Sequence, residues 1–219
     1  MDTAVGAGSF VPSSTDLDTL AAAAARCEGC ELFRDATQTV FGQGSATATM
    51  MLVGEQPGDS EDKAGEPFVG PAGRLLDRAL EEAGIDRSTV YVTNAVKHFR
   101  FTTTADSARR LHAKPSNRHV TACHPWLEAE LTALTPEVVV ALGATAAQAL
   151  LGPKFRVTQQ HGQRLEWPPL TGLFAGSPIP IGHVIATIHP SAVLRARTPA
   201  DRETAYTQLV DDLRVVIPG

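Results

Sequence analysis

Four short apolar runs, each rich in β-branched residues, constrain the fold of this chain more than any other feature. They cover residues 49–53, 89–96, 137–142 and 183–188. Their apolar character is continuous rather than alternating, as expected for strands that helices cover on both faces. Helical patterns separate or follow them at residues 73–83, 125–134, 144–151 and 202–216. This alternation predicts an α/β protein, a three-layer α/β/α sandwich around a central four-stranded parallel sheet.

Length and composition favour a single domain. With 219 residues, of which 43% are hydrophobic, the chain can bury one substantial core. We expect residues 1–14 to form a disordered tail and residues 15–219 to form the domain, with Thr15 or Asp16 capping its first helix. The first residues show neither a signal-peptide pattern nor an apolar stretch of membrane-spanning length. The sequence therefore predicts a cytoplasmic protein with no membrane partner.

Charge is unevenly distributed along the chain. A formal net charge of -5 argues against a protein that binds nucleic acid over its whole surface. Residues 97–126 nevertheless concentrate cations around the single acid Asp106: Lys97, Arg100, Arg109, Arg110, Lys114 and Arg118. Such a segment either neutralises phosphates or forms an ordinary solvated face, and composition leaves both alternatives open.

A stretch rich in Gly and Pro behind the first predicted strand has the character of an active-site loop. It comprises residues 54–59 and 67–73. Glycine and proline fix a tight backbone path, along which the loop presents a carboxylate, an amide and an aromatic ring. In an open α/β sheet, ligands bind outside the carboxyl ends of the strands, which is where this loop begins.

The other predicted strands also end in residues suited to chemistry. Glu55 and Gln56 follow the first strand, Asn94 lies at the end of the second, Gly143 ends the third and His189 follows the fourth. Taken singly, each residue type is common in turns. Since parallel strands carry their carboxyl ends to one edge, their coincidence at four strand ends predicts a ligand site there.

Three cysteines indicate a metal centre. Cys27 and Cys30 are two residues apart with Gly between them, a spacing that both zinc and iron-sulfur sites use, and Cys123 supplies a third thiolate. A fourth ligand is then required, and His98 is favoured over His124, which is adjacent to Cys123. Buried thiols without a metal are the alternative, and thiolate chemistry suits iron as well as zinc.

Several motifs between about Cys27 and Leu213 together carry a resemblance to a known family. They are the paired Cys27 and Cys30, Gly54-Glu55-Gln56-Pro57-Gly58, Pro67-Phe68-Val69-Gly70, Val92-Thr93-Asn94-Ala95-Val96-Lys97 and His189-Pro190-Ser191. In combination they resemble the iron-sulfur uracil-DNA glycosylases. Two details point to the family X branch, whose members become covalently joined to uracil-containing DNA. Gln56 directly follows Glu55, and an insertion ending in Arg109-Arg110-Leu111-His112 occupies the place of that branch's histidine loop.

The resemblance implies a 4Fe-4S cluster. Its ligands would be Cys27, Cys30, His98 and Cys123, with His98 standing where the iron-sulfur family usually has a cysteine. Zinc is the alternative that the residues themselves leave open.

The resemblance also implies how uracil is recognised once it has left the base stack. Phe68 would stack on the flipped ring, and the Asn94 amide would donate to O4 and accept from N3–H. Gly54 and Asp59 would complete the substrate site, and His189 would donate to O2 as negative charge develops on the departing base.

For the reaction, the resemblance assigns His112 as the nucleophile that bonds to C1' of the deoxyribose. Glu55 would stabilise the cationic sugar or accept the imidazole proton, and Gln56 would help to shape the pocket. Ala108 and Leu111 replace the lysine and isoleucine that are usual in this loop, so we expect covalent capture to be slower.

The implied partner is uracil-containing DNA, in single-stranded form, bound by a monomer. The residues expected to contact it are Arg109, Arg110, Lys114 and Arg195. Two other functions compete with covalent capture: an ordinary iron-sulfur glycosylase that releases uracil and leaves a free abasic site, and a metal-stabilised nucleic-acid binding module without turnover.

Overall fold

A computed structural model of the chain describes residues 6–104 and 107–216, without the side chains of residues 107 and 108. Asp106 and the side chain of Ala108 therefore lie outside the described part of the chain. The strands are β1 (Met50–Gly54), β2 (Val90–Asn94), β3 (Phe101–Thr104), β4 (Ser107–His112), β5 (Val138–Leu142) and β6 (His183–Thr187). The helices are α1 (Leu17–Ala24), α2 (Asp59–Ala64), α3 (Pro71–Ala83), α4 (Asn117–Leu134), α5 (Ala144–Leu151), α6 (Val157–Gln160), α7 (Pro190–Leu194) and α8 (Pro199–Arg214).

The central sheet has the predicted architecture. Its four strands run in the order β2-β1-β5-β6, and every neighbouring pair is parallel. Helices α3, α7 and α8 pack against one another on one face, while α1 and α5 contact α4 on the other. Two clusters of buried hydrophobic side chains fill the layers between sheet and helices. The α/β/α sandwich is confirmed, and all four apolar runs form its strands.

Helix ends follow local capping chemistry. Asp16 accepts a hydrogen bond from the Thr19 N–H (2.8 Å) and caps α1, as predicted. Gly84 ends α3 with φ at 80°, a left-handed conformation that glycine adopts without strain.

Two predicted helices begin earlier than expected. Helix α4 starts at Asn117, directly after its N-cap residue Ser116, whose N–H donates to His119 Nδ1 (3.0 Å), and Pro125 lies inside the helix. The prediction of a start at Pro125 followed the preference of proline for the first helical turn, and it was wrong by two turns. Helix α8 likewise begins at Pro199, where Thr198 accepts a hydrogen bond from the Asp201 N–H (3.1 Å).

The start of the chain is packed from Gly6 onward. Residues Ala7–Ser9 form a short 3-10 helix against α4, and Ala7 is buried. The Gly6 N–H donates to the carbonyl of Gly29 (3.0 Å), next to the paired cysteines. The expected disordered tail of residues 1–14 is therefore wrong for residues 6–14, and residues 1–5 lie outside the described chain.

The insertion before α4 is an antiparallel hairpin of β3 and β4, and among the described strands these two pair only with each other. Phe101 pairs with His112, which places His112 at the end where the hairpin joins the domain. No helix in the described part of the chain is long and apolar enough to cross a membrane.

Candidate active site

The ends of β1 and β2 are fastened together. Gly54 and Asn94 are in register as the last residues of these strands. Beyond them, the Ala95 N–H donates to the Gly54 carbonyl (2.9 Å) and the Val96 N–H donates to the Glu55 carbonyl (3.1 Å). The loop of residues 54–59, which carries Glu55 and is named the carboxylate loop, and the turn that follows Asn94 therefore form one unit at the predicted edge of the sheet.

Gly54 makes room for two functional side chains. A Cβ at this position would overlap Asn94 Oδ1 and would lie 2.7 Å from Phe68 Cζ. Asn94 is 3% exposed. The absence of a side chain at Gly54 thus lets the Asn94 amide and the Phe68 ring approach the same space.

Phe68 is held in an unusual backbone conformation. Its φ of 58° lies in the left-handed region, which costs a bulky residue free energy and marks functional segments. A Cβ on Gly73, in the first turn of α3, would overlap the Phe68 carbonyl. The ring stacks against His189, with centroids 6.2 Å apart and planes at 25°. Tight backbone packing therefore presents this ring beside the imidazole.

His189 precedes α7 and has a fixed tautomer. Its Nδ1 accepts a hydrogen bond from the Ser191 N–H (3.1 Å) and lies 2.8 Å from Ser191 Oγ. The proton of the neutral ring is therefore on Nε2. Burial, followed by the charges of Arg195 and His112, lowers the pKa of His189 to about 4. This imidazole is neutral near pH 7 and offers one N–H donor.

Glu55 lies between a hydroxyl group and the predicted nucleophile. One carboxylate oxygen, Oε2, accepts a short hydrogen bond from Thr145 Oγ1. The other, Oε1, is 3.4 Å from His112 Nε2. The Glu55 side chain is 21% exposed and that of His112 is 49% exposed, so the imidazole faces both the carboxylate and solvent.

Gln56 anchors the hairpin that carries His112. Its Nε2 donates to the carbonyls of Arg100 and Ala113 (both 3.1 Å), and its Oε1 accepts from the Arg100 N–H (3.1 Å). Arg100 and Ala113 flank the two ends of the hairpin. The Gln56 amide, predicted to act in the pocket, thus holds the backbone on either side of β3 and β4.

Arg110 supplies a second anchor for the same hairpin. Its Nε is 2.6 Å from Asp59 Oδ1, and its Nη1 is 2.6 Å from the fully buried Asp62. The guanidinium also lies over the rings of Phe99 and Phe101, at 5.4 and 5.0 Å. Arg110 and Asp59 were predicted to contact DNA and to line the uracil site, and the structure places them in an ion pair with each other.

The remaining cations of the segment lie in different environments. Arg109, Lys114 and Arg195 are exposed, and Arg195 Nη1 donates to Ser191 Oγ (2.8 Å), beside His189. Lys97, by contrast, is fully buried and paired with Glu130. The basic segment is therefore not one continuous surface.

Sequence reasoning missed two residues of this site. Thr145 follows Gly143 at the end of β5, and that position was the available signal for a residue at the ligand edge. Asp62 lies one helical turn after Asp59, a spacing that puts both carboxylates on one face of α2.

The three cysteines are buried near one another. Burial raises the pKa of Cys123 to about 12, and the other two thiols add to this increase in pKa after the opposing effect of Lys97. The Lys97 N–H donates to Cys123 Sγ (3.2 Å), and the Gly29 N–H donates to Cys27 Sγ (3.5 Å). Donors of this kind stabilise thiolates.

The two candidate histidine ligands differ in their surroundings. His98 Nε2 lies 2.9 Å from Thr39 Oγ1, and that hydroxyl donates to the carbonyl of Ala24 (2.9 Å). The Thr39 proton is thus committed, so His98 donates through Nε2 and keeps a lone pair on Nδ1. His124 packs against Phe174, with centroids 4.4 Å apart. Across residues 6–104 and 107–216, no group of three His, Cys, Asp or Glu side chains is close enough to hold a metal ion.

Comparison with known proteins decides the family. The family model of the uracil DNA glycosylase superfamily matches residues 41–214. The chain belongs to the uracil DNA glycosylase superfamily. The matched range includes every strand of the central sheet and the loops at its carboxyl edge, so the predicted superfamily is confirmed.

Two curated relatives align with about four fifths of this chain. The Type-4 uracil-DNA glycosylase of Thermotoga maritima is 37% identical over 179 residues, which are 79% of this chain and 80% of that protein. The Type-4 uracil-DNA glycosylase of Pyrobaculum aerophilum is 35% identical over 180 residues, 82% of this chain and 85% of that protein. Among solved structures, wild-type SMUG2 of Pedobacter heparinus aligns at 12% identity and a TM-score of 0.47, over 78% of this chain and 76% of that chain.

Proposed function

We propose that this protein excises uracil from DNA and becomes covalently attached, through His112, to C1' of the deoxyribose. The observation that carries the proposal is the 3.4 Å approach of His112 Nε2 to Glu55 Oε1, at the edge of the sheet where Asn94 and His189 also lie. A nucleophile paired with a carboxylate is the arrangement that covalent catalysis requires.

Recognition of uracil is assigned to three side chains. The Phe68 ring would stack on the flipped base, while the Asn94 amide would donate to O4 and accept from N3–H. The Nε2–H of His189 would donate to O2. A neutral N–H donor is suited to this task because it stabilises the negative charge that develops on the departing uracil by a hydrogen bond, without transferring its proton.

The chemical step exchanges one C–N bond for another. The bond between C1' and uracil N1 breaks, and its electron pair leaves with the base, where the His189 N–H stabilises it. Glu55 accepts the proton of His112 Nε2, and the electron pair of that N–H bond forms the new bond to C1'. The same carboxylate stabilises the cationic sugar before capture. The hydrogen bond from Thr145 orients Glu55 for both roles.

A 4Fe-4S cluster is proposed at Cys27, Cys30, His98 and Cys123. Support comes from the burial of the three thiols, from the N–H donors to Cys27 and Cys123, and from the lone pair that the Thr39 contact leaves on His98 Nδ1. Because these residues join the chain start, the turn after β2 and helix α4, the bound group would supply structural cohesion.

Single-stranded DNA carrying one uracil tests the reaction. We expect a protein–DNA band that survives heat and detergent, with no such band when thymine replaces uracil. His112→Ser should abolish the band, since serine lacks the imidazole lone pair. A stable band from the His112→Ser protein would show that another residue is the nucleophile.

The relatives favour a second candidate function. Both are Type-4 uracil-DNA glycosylases, and an ordinary glycosylase would release uracil and leave a free abasic site. Strand scission that appears only after alkali, without a stable band, would establish this function. If neither a stable band nor scission is observed, the remaining candidate is a nucleic-acid binding module without turnover.

A further inference from the structure

A buried lysine lies directly behind the residue proposed to recognise the base. The Lys97 side chain is fully buried. Its Nζ is 2.7 Å from the main-chain oxygen of Asn94, 2.6 Å from Thr93 Oγ1 and 2.5 Å from Glu130 Oε2. These acceptors match the three N–H donors of an ammonium group. The cation is thus committed inside the protein rather than to DNA.

Glu130, the partner of Lys97, is also fully buried and fully bonded. Besides Lys97, its carboxylate accepts hydrogen bonds from the Gly42 N–H (3.1 Å), the Tyr91 hydroxyl (3.1 Å) and the Thr93 hydroxyl (2.9 Å). Burial and the charge of Glu130 raise the pKa of Tyr91, so its phenol stays a donor. All three N–H donors of Lys97 are engaged within this network, so none is left to bind a ligand.

Stability alone does not account for this pair. A buried ion pair can often be replaced by apolar residues of similar volume without loss of stability. An apolar pair could not donate to the Asn94 carbonyl, which lies at the end of β2 and needs a partner in the interior. The special contribution of Lys97 is therefore the fixed position of the Asn94 backbone.

Lys97 also fastens the end of β2 to helix α4 at two points. Its side chain reaches Glu130, and its main-chain N–H donates to Cys123 Sγ (3.2 Å). Both partners belong to α4, two turns apart. On the other side, Asn94 is in register with Gly54. Asn94 is consequently held between a helix and the carboxylate loop.

We propose that Lys97 and Glu130 are a positioning pair, which holds the Asn94 backbone so that the amide side chain meets the edge of uracil. The inference rests on the proposed function, because base recognition by Asn94 is part of that proposal. Lys97 acts through Asn94 and touches no substrate atom.

A double-mutant cycle tests the pair. Lys97→Met keeps the methylene chain and removes the ammonium. We expect the rate of uracil removal at saturating DNA to fall by roughly 5- to 150-fold, the range spanned by a bidentate base contact, with little change in the DNA concentration that gives half the maximal rate. In an Asn94→Ala background, the same substitution should have little further effect, since its target is gone. Independent, multiplicative effects would overturn the positioning role.

A modified base separates positioning from general destabilisation. A 2-pyrimidinone nucleotide lacks O4 and N3–H, so it cannot make the two hydrogen bonds that the proposal assigns to uracil and Asn94. Lys97→Met should slow the removal of uracil and leave the removal of 2-pyrimidinone unchanged. The rate of uracil removal divided by the rate of 2-pyrimidinone removal should therefore fall. Leu80→Ala, in the hydrophobic cluster on the other face of the sheet, should leave that ratio as in the wild type. An unchanged ratio in Lys97→Met would contradict the proposal.

Three other results have different consequences for the proposal. If Lys97→Met does not fold, the double variant Lys97→Met with Glu130→Leu leaves neither charge unpaired. It should show the same fall in the ratio of uracil removal to 2-pyrimidinone removal. Wild-type protein that excises uracil, combined with multiplicative mutant effects, overturns the positioning pair alone. Wild-type protein that excises no uracil overturns the proposed function and this inference with it.

Discussion

At the scale of single residues, His189 shows how backbone geometry sets the protonation of a side chain. The Ser191 N–H points at Nδ1, and this contact can form only when that nitrogen carries a lone pair. A second proton on the ring would break the contact and would place a buried charge near Arg195. The position of one N–H group thus determines which ring nitrogen can donate to a ligand.

The lowered pKa of His189 predicts a loss of stability in mild acid. Its pKa is about 4 in the folded protein and about 6.5 when unfolded. Between these values the unfolded chain binds a proton that the folded chain does not, so the free energy of unfolding falls as pH drops from 6.5 toward 4. The contribution of this residue is at most about 3 kcal/mol.

Urea unfolding at pH 7, 6 and 5 measures this effect. His189→Asn keeps a side-chain acceptor for the Ser191 N–H and cannot titrate in this range. It should therefore lose less stability over the same interval than the wild type. Equal pH dependence in the two proteins would show that His189 does not contribute.

At the scale of secondary-structure elements, the β3–β4 hairpin depends on contacts with distant parts of the sequence. Gln56 binds the backbone at both of its ends, and Arg110 attaches it to the buried Asp62. The hairpin itself has few apolar residues to bury. Its position, and with it the distance between His112 and Glu55, is therefore set by polar contacts across the domain.

Loss of the Arg110 anchor should slow covalent capture. DNA affinity should stay the same, because the Arg110 charge is paired with Asp59 and Asp62 inside the protein. Arg110→Gln leaves the carboxylate of Asp62 without its cation. We expect the rate of adduct formation to fall by about a hundredfold, the order that results when a reacting group is misplaced by about 1 Å. Quenched time courses at saturating DNA measure this rate.

Lys114→Gln is the matched control, since Lys114 is exposed beside the same hairpin. It should weaken DNA binding and reduce the slope of log affinity against log salt concentration by about one, while the rate at saturation stays near that of the wild type. The hairpin interpretation fails if Arg110→Gln captures DNA as fast as Lys114→Gln.

The elements differ in how far sequence could predict them. The four sheet strands were found because continuous apolar runs have few alternatives to burial under helices. The hairpin was missed since its stability comes from Gln56 and Arg110, at separations of 44 to 57 residues from their partners, and no local pattern encodes such contacts. Residues at strand ends, such as Asn94, were predictable from topology, whereas the hydrogen bond from Thr145 to Glu55 joins residues 90 positions apart and has no local signal.

At the scale of the whole molecule, the proposed cluster joins three parts of the chain that the sheet does not hold together. Cys27 and Cys30 follow α1, His98 follows β2, and Cys123 lies in α4. The spacing of the cysteines predicted a shared centre. The structure buries all three thiols, but no three ligand side chains among the described residues lie close enough to hold a metal ion. The sequence left the fourth ligand to a choice between His98 and His124, because spacing alone does not show which histidine has a ring nitrogen with a free lone pair.

Iron content distinguishes the two histidines. We expect His98→Ser to reduce the bound iron and the broad absorbance near about 400 nm, and to lower the melting temperature because metal binding contributes to folding. His124→Ser should retain the iron. Full iron content in His98→Ser, or its loss in His124→Ser, would contradict the assigned ligand set.

The hairpin has one more consequence, which concerns the independence of the scaffold from the site. Its two strands add nothing to the central sheet, yet they bring the His112 imidazole to the carboxylate of Glu55. The central sheet pairs its four strands without them, so the hairpin can change while the scaffold continues to fold. If His112 captures C1' as proposed, about a dozen residues outside the central sheet separate a protein that is consumed at each lesion from one that turns over.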